Sequence, residues 1–321
     1  MSLLKSSLVR SIVCFMSLAA LPFLSACSAE TKTPGINPEE TAAATPSLVV
    51  ITGTSTAGNN STPIPSSTPS FTPSITPTYP PFSSLKPFYW RDWQVNPDLS
   101  PEALSILRNA INNPNLDLHV FSKVGDCQMT SGTFLGGFVS GAYTIPDGFN
   151  ETVTWFSDSM SGESITAAIG LGVNSVLDPL FGLPAGNKQC QAVETPLDCE
   201  LRTRHPAVVL IAMGTNWIPH GEASFEKYLR IVVDRVLATG ALPILATKAD
   251  NIEEDWKLDQ AIAQVAYDYN LPLVNVWRSV QDLPNHGLVS PKNEYLTGDG
   301  WMRRNYAWLK ILEKVRLVLV K

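Results

Sequence analysis

Apolar segments alternate with amphipathic segments from about residue 100 to the end of the chain. The segments predicted as strands are rich in apolar and small residues, and they are residues 116–126, 207–215, 241–249 and 271–277, of which residues 207–215 form a continuous apolar run. The segments predicted as helices have apolar residues at helical spacing or a helix-start signature, and they are residues 100–113, 222–240, 254–270 and 301–320. This alternation predicts an α/β fold, a three-layer α/β/α sandwich with a mainly parallel sheet covered on both faces. Functional residues are then expected just after the carboxyl ends of the strands, following Asp126, Met213 and Val276.

The N-terminus has the pattern of an export signal. Lys5 and Arg10 precede an apolar run, residues 11–24, which has the length of a signal-peptide core and is too short to cross a bilayer comfortably. The run closes on "LSAC", which resembles the lipobox of bacterial lipoproteins and would make Cys27 the lipidated first residue. The alternative is an ordinary secreted protein with a chance cysteine. Export follows from both, and lipidation predicts anchoring to the extracellular face of the cell membrane.

Composition divides the chain into three segments. Residues 1–26 are predicted to be a lipoprotein signal peptide and residues 27–86 a disordered tether. Between residues 61 and 84 nearly every residue is Ser, Thr or Pro, a composition that stays solvated because it cannot bury a core. Residues 87–321 remain as the folded domain, which is long enough for a sizeable core.

The charge of the chain disfavours anionic partners. Its formal net charge is -6, and loss of Lys5 and Arg10 with the signal makes the mature form -8. The mature sequence has no basic stripe. We therefore expect neither nucleic acid nor another anionic polymer as a partner.

The cysteines predict one disulfide. Of five cysteines, Cys14 leaves with the signal and Cys27 would carry lipid, so the domain holds three. Cys190 and Cys199 bracket a short loop and are predicted to pair in an oxidising exterior, which leaves Cys127 as a free thiol. The alternative is that all three are reduced and buried.

Three segments occur in the order of the motifs of a known enzyme family. They are "VGDC" at residues 124–127, "MGTN" at residues 213–216 and "LTGDGWMRRN" at residues 296–305. They resemble the GDSL or SGNH family of serine ester hydrolases, and the longer stretches "FSKVGD" and "RHPAVVLIAMGTN" resemble a branch found in bacterial surface lipoproteins. The resemblance covers about residues 118–320. It implies the flavodoxin-like SGNH hydrolase fold and ester hydrolysis, and no cofactor is expected.

The resemblance fails at the catalytic triad. Family members carry a nucleophilic Ser after Gly-Asp, where this chain has Cys127. Their Asp-x-x-His pair precedes the last helix, and the alignment places Tyr295 at the histidine position and Lys292 at the aspartate position. If the alignment is shifted by a few residues, Asp299 is a surviving acid.

The oxyanion-binding parts of the family are retained. Asn216 matches the family's asparagine, and Gly170 is the best match to its glycine, with Gly172 as a rival. Aimed donors of this kind contribute about 3–4 kcal/mol each in acyl transfer. Trp217 follows Asn216 and is expected to contact a ligand. The other aromatic residues predict either a glycan-binding cleft or, as we expect, core packing; they include residues 88–93, Trp256, Trp277 and Trp301.

The histidines offer one candidate base. A thiol nucleophile still needs an acid-base group for the leaving group and for deacylation. His286, nine residues before Tyr295, is the candidate substitute. His220 follows the oxyanion loop, and His205 is expected at the surface. Their spacing does not match that of metal ligands, so no metal site is expected.

These departures predict a degenerate site on an intact frame. The expected protein is lipid-anchored, extracellular and monomeric, descended from enzymes that hydrolysed carbohydrate or lipid esters. It would act as a binding module for an acylated glycan or lipid. The alternative is an active cysteine-dependent esterase with Cys127 as nucleophile and His286 as base. A structural spacer is the third possibility.

Overall fold

Four parallel strands form the sheet of this computed structural model, which describes residues 86–181, 189–217 and 221–321. The strands are β1 (Asp117–Gly125), β2 (Pro206–Ala212), β3 (Leu242–Ala246) and β4 (Leu273–Val274), in the order β1-β2-β3-β4. The predicted α/β class and mainly parallel sheet are confirmed. The predicted signal peptide, Cys27 and nearly all of the tether lie outside the described residues, as does His220.

Nine α-helices lie among the described residues, and those that cover the sheet form two groups. The nine helices are α1 (Pro101–Ile111), α2 (Gly136–Ser140), α3 (Asn150–Trp155), α4 (Ser157–Ser161), α5 (Pro196–Arg204), α6 (Glu222–Ala238), α7 (Lys257–Asp268), α8 (Val276–Ser279) and α9 (Gly298–Leu319). Helices α5, α6 and α7 contact one another in sequence, while α1 and α3 contact α9. Both groups contact β3, which gives the three layers. Among the described residues, no helix combines the length and apolar character needed to cross a bilayer.

The observed helix bounds differ from the predicted ones where a capping residue or a residue with positive φ sets the end of the helix. Ser100 caps α1 by accepting a hydrogen bond from the Ala103 N–H, as its Ser-Pro start predicts. Helix α7 begins at Lys257 because Trp256 has φ +59°, outside the helical region. Thr297 caps α9 by accepting from the Gly300 N–H, so this helix starts three residues before the prediction.

The order in which the chain adds segments to the sheet changes side at β1. After β1 the chain forms an isolated parallel bridge between Gly125 and Ala167 on the outer side of that strand, where the Gly125 N–H donates to the Thr166 carbonyl at 2.9 Å. It then crosses to the other side of β1 to form β2. In open α/β sheets ligands bind at such a switch point, outside the carboxyl ends of the strands. The topology therefore points to the residues that follow Gly125.

The Cys190–Cys199 disulfide ties a loop to α5. The two Cα atoms lie 5.2 Å apart, and the Cys199 side chain is buried. This confirms the predicted pairing. A loop of this length contributes roughly 2–3 kcal/mol, chiefly by reducing the conformational entropy of the unfolded chain.

Candidate functional site

A tight turn carries the chain from β1 to the nucleophile position. The Asp126 carboxylate accepts from the Gln128 N–H at 2.9 Å, and the Cys127 carbonyl accepts from the hydroxyls of Thr130 and Thr133, each at 2.9 Å. Gly125 precedes the turn because a Cβ atom there would lie 2.2 Å from Met129 Cγ and 2.7 Å from the Ala212 carbonyl oxygen. These contacts hold the turn in one conformation.

The Cys127 side chain is nearly buried, at 7% exposure. It is not paired with Cys190 or Cys199, which bond to each other. The other two cysteines of the chain, Cys14 and Cys27, lie outside the described residues, so the expected free thiol stays a prediction. Because the nucleophile of a cysteine enzyme is the thiolate, burial of this sulfur disfavours its attack on an ester.

The two predicted oxyanion elements lie together. The Asn216 side-chain NH₂ donates to the Leu171 carbonyl at 3.3 Å, which ties the loop after β2 to the loop that carries Gly170. Gly170 is exposed and has φ +81°, and a Cβ atom there would meet nothing within 4 Å. Gly172 is buried, and its N–H donates to the Ser175 hydroxyl at 3.4 Å. Between the two candidates, Gly170 is the one beside open space.

Trp217 belongs to the packing beneath this loop. Only 4% of its surface is exposed, and its ring packs against Phe225 and Tyr228 with centroid distances of 6.2 and 5.8 Å. Its indole N–H donates to the Gly221 carbonyl at 2.9 Å. Trp217 therefore fixes the loop against α6, and its contact with a ligand stays a prediction.

Tyr295, at the predicted histidine position, lies beside the turn. The Gln128 side chain donates to the neighbouring Glu294 carbonyl at 3.1 Å, which brings this segment against the end of β1. Burial, together with the carboxylates of Glu294 and Asp126, raises the pKa of Tyr295 above its ordinary value of 10.0. The phenol consequently stays protonated at neutral pH and provides no base.

The other predicted acid and base positions lie away from the turn. Lys292 is 89% exposed, and its Nζ lies 3.5 Å from Glu254 Oε1. His286 is exposed, and its Nδ1 lies 3.1 Å from the Gln281 carbonyl. Asp299 is exposed in the first turn of α9, and His205 ends α5 with φ +50°. No described histidine hydrogen bonds to residues 126–128.

A buried charge cluster that was not predicted from the sequence lies at the same edge of the sheet. Lys248 Nζ lies 2.9 Å from Asp250 Oδ1 and 2.5 Å from Glu253 Oε2, while its backbone N–H donates to Asp259 at 2.7 Å. Burial opposes the charge on Lys248, but the three carboxylates outweigh it and raise the lysine pKa above 10.5. The available signal was "TKAD" directly after an apolar strand, which places both charges at the carboxyl end of β3.

A second buried cation lies between this cluster and the turn. Arg304 is packed against the rings of Phe134 and Trp301, with its Cζ 5.0 and 5.5 Å from their centroids. Burial lowers its pKa to about 10. Arg304, Lys248 and Asp126 line a cavity of about 10 Å³, which is room for one water molecule.

Asp126 makes a pH-dependent contribution to stability. Burial raises its pKa from 3.8 to about 6, against the opposing effects of the Gln128 N–H and Arg304. Since the folded-state pKa is the higher one, this contribution is complete below pH of about 4 and is lost as pH rises through about 6. We expect the free energy of unfolding of the wild type, relative to Asp126→Asn, to increase by about 1–3 kcal/mol between pH of about 8 and 4. Urea unfolding at each pH measures this difference, and a pH-independent value would contradict it.

The comparisons with solved structures include two similar proteins. The chain is similar to a GDSL-like lipase from Bacteroides thetaiotaomicron, with TM-score 0.40 and 16% identity, covering 66% of this chain and 98% of that one. It is also similar to a mutant of an acetyl-xylooligosaccharide esterase from Geobacillus Stearmophilus, with TM-score 0.40 and 15% identity, covering 60% and 93%. No protein-family model and no curated protein matches the chain.

Proposed function

We propose that this domain binds an acylated ligand on an SGNH-type hydrolase frame without hydrolysing it. The observation that carries the proposal is Tyr295, a phenol with a raised pKa at the position where the family has its histidine. Acyl transfer by a side-chain nucleophile needs a base to accept the proton and an acid to release the alkoxide. A protonated Tyr295 supplies no base, so the relay is broken at its central member.

The retained parts of the frame suit binding of an ester carbonyl. Asn216 is joined to the Gly170 loop through its hydrogen bond to Leu171, and its amide NH₂ has a second hydrogen to donate. Donors fixed in place by the fold bind a carbonyl oxygen without the entropic cost of ordering them first. The crevice would thus retain affinity for acyl groups after the loss of proton transfer.

The proposed ligand is an acylated glycan or lipid at the cell surface. The lipobox around Cys27 and the tether rich in Ser, Thr and Pro support a lipid-anchored extracellular domain held away from the membrane. A formal net charge of -6 supports a neutral ligand over an anionic one.

The competing function, a cysteine-dependent esterase with His286 as base, has two observations against it. The Cys127 side chain is nearly buried. The His286 ring lies against the Gln281 carbonyl and lines a different cavity, together with Trp256 and Trp277.

Binding of acetylated and deacetylated forms of the same oligosaccharide tests the proposal. Isothermal titration should give a dissociation constant about three- to tenfold lower for the acetylated form, because a hydrogen-bonded carbonyl is worth roughly 0.5–1.5 kcal/mol. Asn216→Ala should remove this preference, whereas Asn174→Ala in the same loop region should keep it. Equal affinities for the two forms, or a preference that survives Asn216→Ala, would contradict the proposal.

A further inference from the structure

A cavity of about 870 Å³ lies beyond the end of β4, apart from the turn at Cys127. Its walls include two tryptophans, Trp256 and Trp277, and its polar side chains include three amides, those of Asn251, Gln281 and Asn285. Small-molecule sites have volumes of roughly 300–1,000 Å³ and combine apolar walls with a few polar groups. We propose that this cavity binds a neutral oligosaccharide.

The tryptophan walls are preformed. Trp256 and Trp277 contact each other edge to face with ring centroids 5.8 Å apart, and both contact the buried Trp90. The Arg91 guanidinium lies 4.7 Å from the Trp256 centroid, which adds a cation-π contact on one side of the ring. Both tryptophans remain partly exposed. Both rings pack against the core, as expected, and part of each ring is left to line the cavity.

Aromatic rings and amides together recognise sugars. The C–H groups on the face of a pyranose carry partial positive charge and pack against the negative face of an indole ring. Each side-chain amide both donates and accepts hydrogen bonds, as each sugar hydroxyl does. The Asn251 side-chain oxygen accepts from the backbone N–H of Trp256 at 3.0 Å, while its NH₂ group has no hydrogen-bond partner among the described residues. The Asn285 side chain likewise makes no hydrogen bond to a described residue.

The charges at the cavity favour a neutral ligand. Lys292 and Glu254 both line it and lie 3.5 Å apart as an exposed pair, so their charges offset each other. Arg91 lies against the tryptophan rings but does not line the cavity, and a phosphate or sulfate group would meet no excess of positive charge among the residues that do. An acyl chain would offer no hydrogen bond to the Asn285 amide or to the Asn251 NH₂ group, which is costly when a ligand excludes water.

Backbone conformation marks the same place. Among the residues that the structure describes, eight other than glycine have positive φ, and four of them line this cavity: Glu254, Trp256, Asn285 and His286. Such conformations cost free energy and persist where the surrounding structure imposes them, and they concentrate at binding sites. The backbone strain occurs in two loops, and both loops line this cavity.

Isothermal titration of the purified protein with xylohexaose, cellohexaose and chitohexaose, beside sodium octanoate, tests this inference. We expect saturable binding of at least one oligosaccharide with a millimolar or lower dissociation constant, weakened about tenfold or more by Trp277→Ala. Phe88→Ala, which removes an aromatic ring that is 71% exposed and outside the cavity, should leave the affinity unchanged. If Trp277→Ala does not fold, Asn285→Asp replaces it, since Asp also tolerates positive φ, and the same weakening is expected.

Three results would overturn the inference. They are binding of octanoate but of none of the oligosaccharides, no saturable binding of any oligosaccharide, and equal affinities of the wild type and the cavity variant. The inference does not depend on the triad. Ester hydrolysis by the same sample would contradict the proposed function and leave oligosaccharide binding standing. Conversely, loss of oligosaccharide binding without ester hydrolysis would contradict this inference and leave the proposed function standing.

Discussion

A variant carrying Cys127→Ser, Lys292→Asp and Tyr295→His is expected to release p-nitrophenol from p-nitrophenyl acetate at least about 10³-fold faster than the unaltered protein. The physical reason is that Asn216 and the Gly170 loop are already joined by a hydrogen bond, so only the proton relay is missing. The segment of Tyr295 already lies against the turn through the contact of Gln128 with Glu294.

The partial variants provide the controls for this experiment. Triad members act as a unit, so Cys127→Ser alone should stay near the background rate. Adding Tyr295→His should give most of the gain, because the serine and its base contribute more than the acid. Lys292 is exposed beside Glu254, and Lys292→Asp is accordingly expected to add the smaller share. A triple variant that is folded by circular dichroism but no faster than Cys127→Ser would contradict the proposed frame.

Lys248→Met is expected to lower the free energy of unfolding by about 3–5 kcal/mol. Lys248 is nearly buried between Asp250 and Glu253, and its removal leaves buried carboxylates without their counter-charge. Lys292→Met is the matched control, since this lysine is exposed and paired with one exposed carboxylate, and its loss should cost less than about 0.5 kcal/mol.

Urea unfolding of the two variants and the wild type measures these losses. The effect of Lys248→Met should exceed that of Lys292→Met several-fold. Equal losses in the two variants would show that the buried cluster does not stabilise the fold.

Local patterns were sufficient to predict all four strands but not the length of the fourth. Strands β2 and β3 are buried along almost their whole length, and continuous apolar runs identify such strands. Strand β4 is shorter than predicted because Asn275 ends it. The Asn275 side chain caps α8 and donates to the carbonyls of Trp90 and Trp93 at 2.8 and 3.2 Å. Those partners are more than 180 residues away in sequence, so no local pattern contains them.

The site was predictable where motif spacing determines it and unpredictable where tertiary contacts do. The order of the motifs places Asn216 and Tyr295 near the end of β1, and the structure brings their segments there. It did not predict that Lys292 turns outward to Glu254. The burial of Lys248 depends on carboxylates from α7 and the preceding loop, and no single segment of the sequence records their proximity.

Steady-state release of p-nitrophenol from p-nitrophenyl acetate by the unaltered protein, beside Cys127→Ala, tests the central claim most directly. We expect equal background rates in the two proteins, because Tyr295 stays protonated and provides no base. Multiple turnover by the unaltered protein that is abolished by Cys127→Ala would contradict this claim and would make the domain a cysteine-dependent esterase.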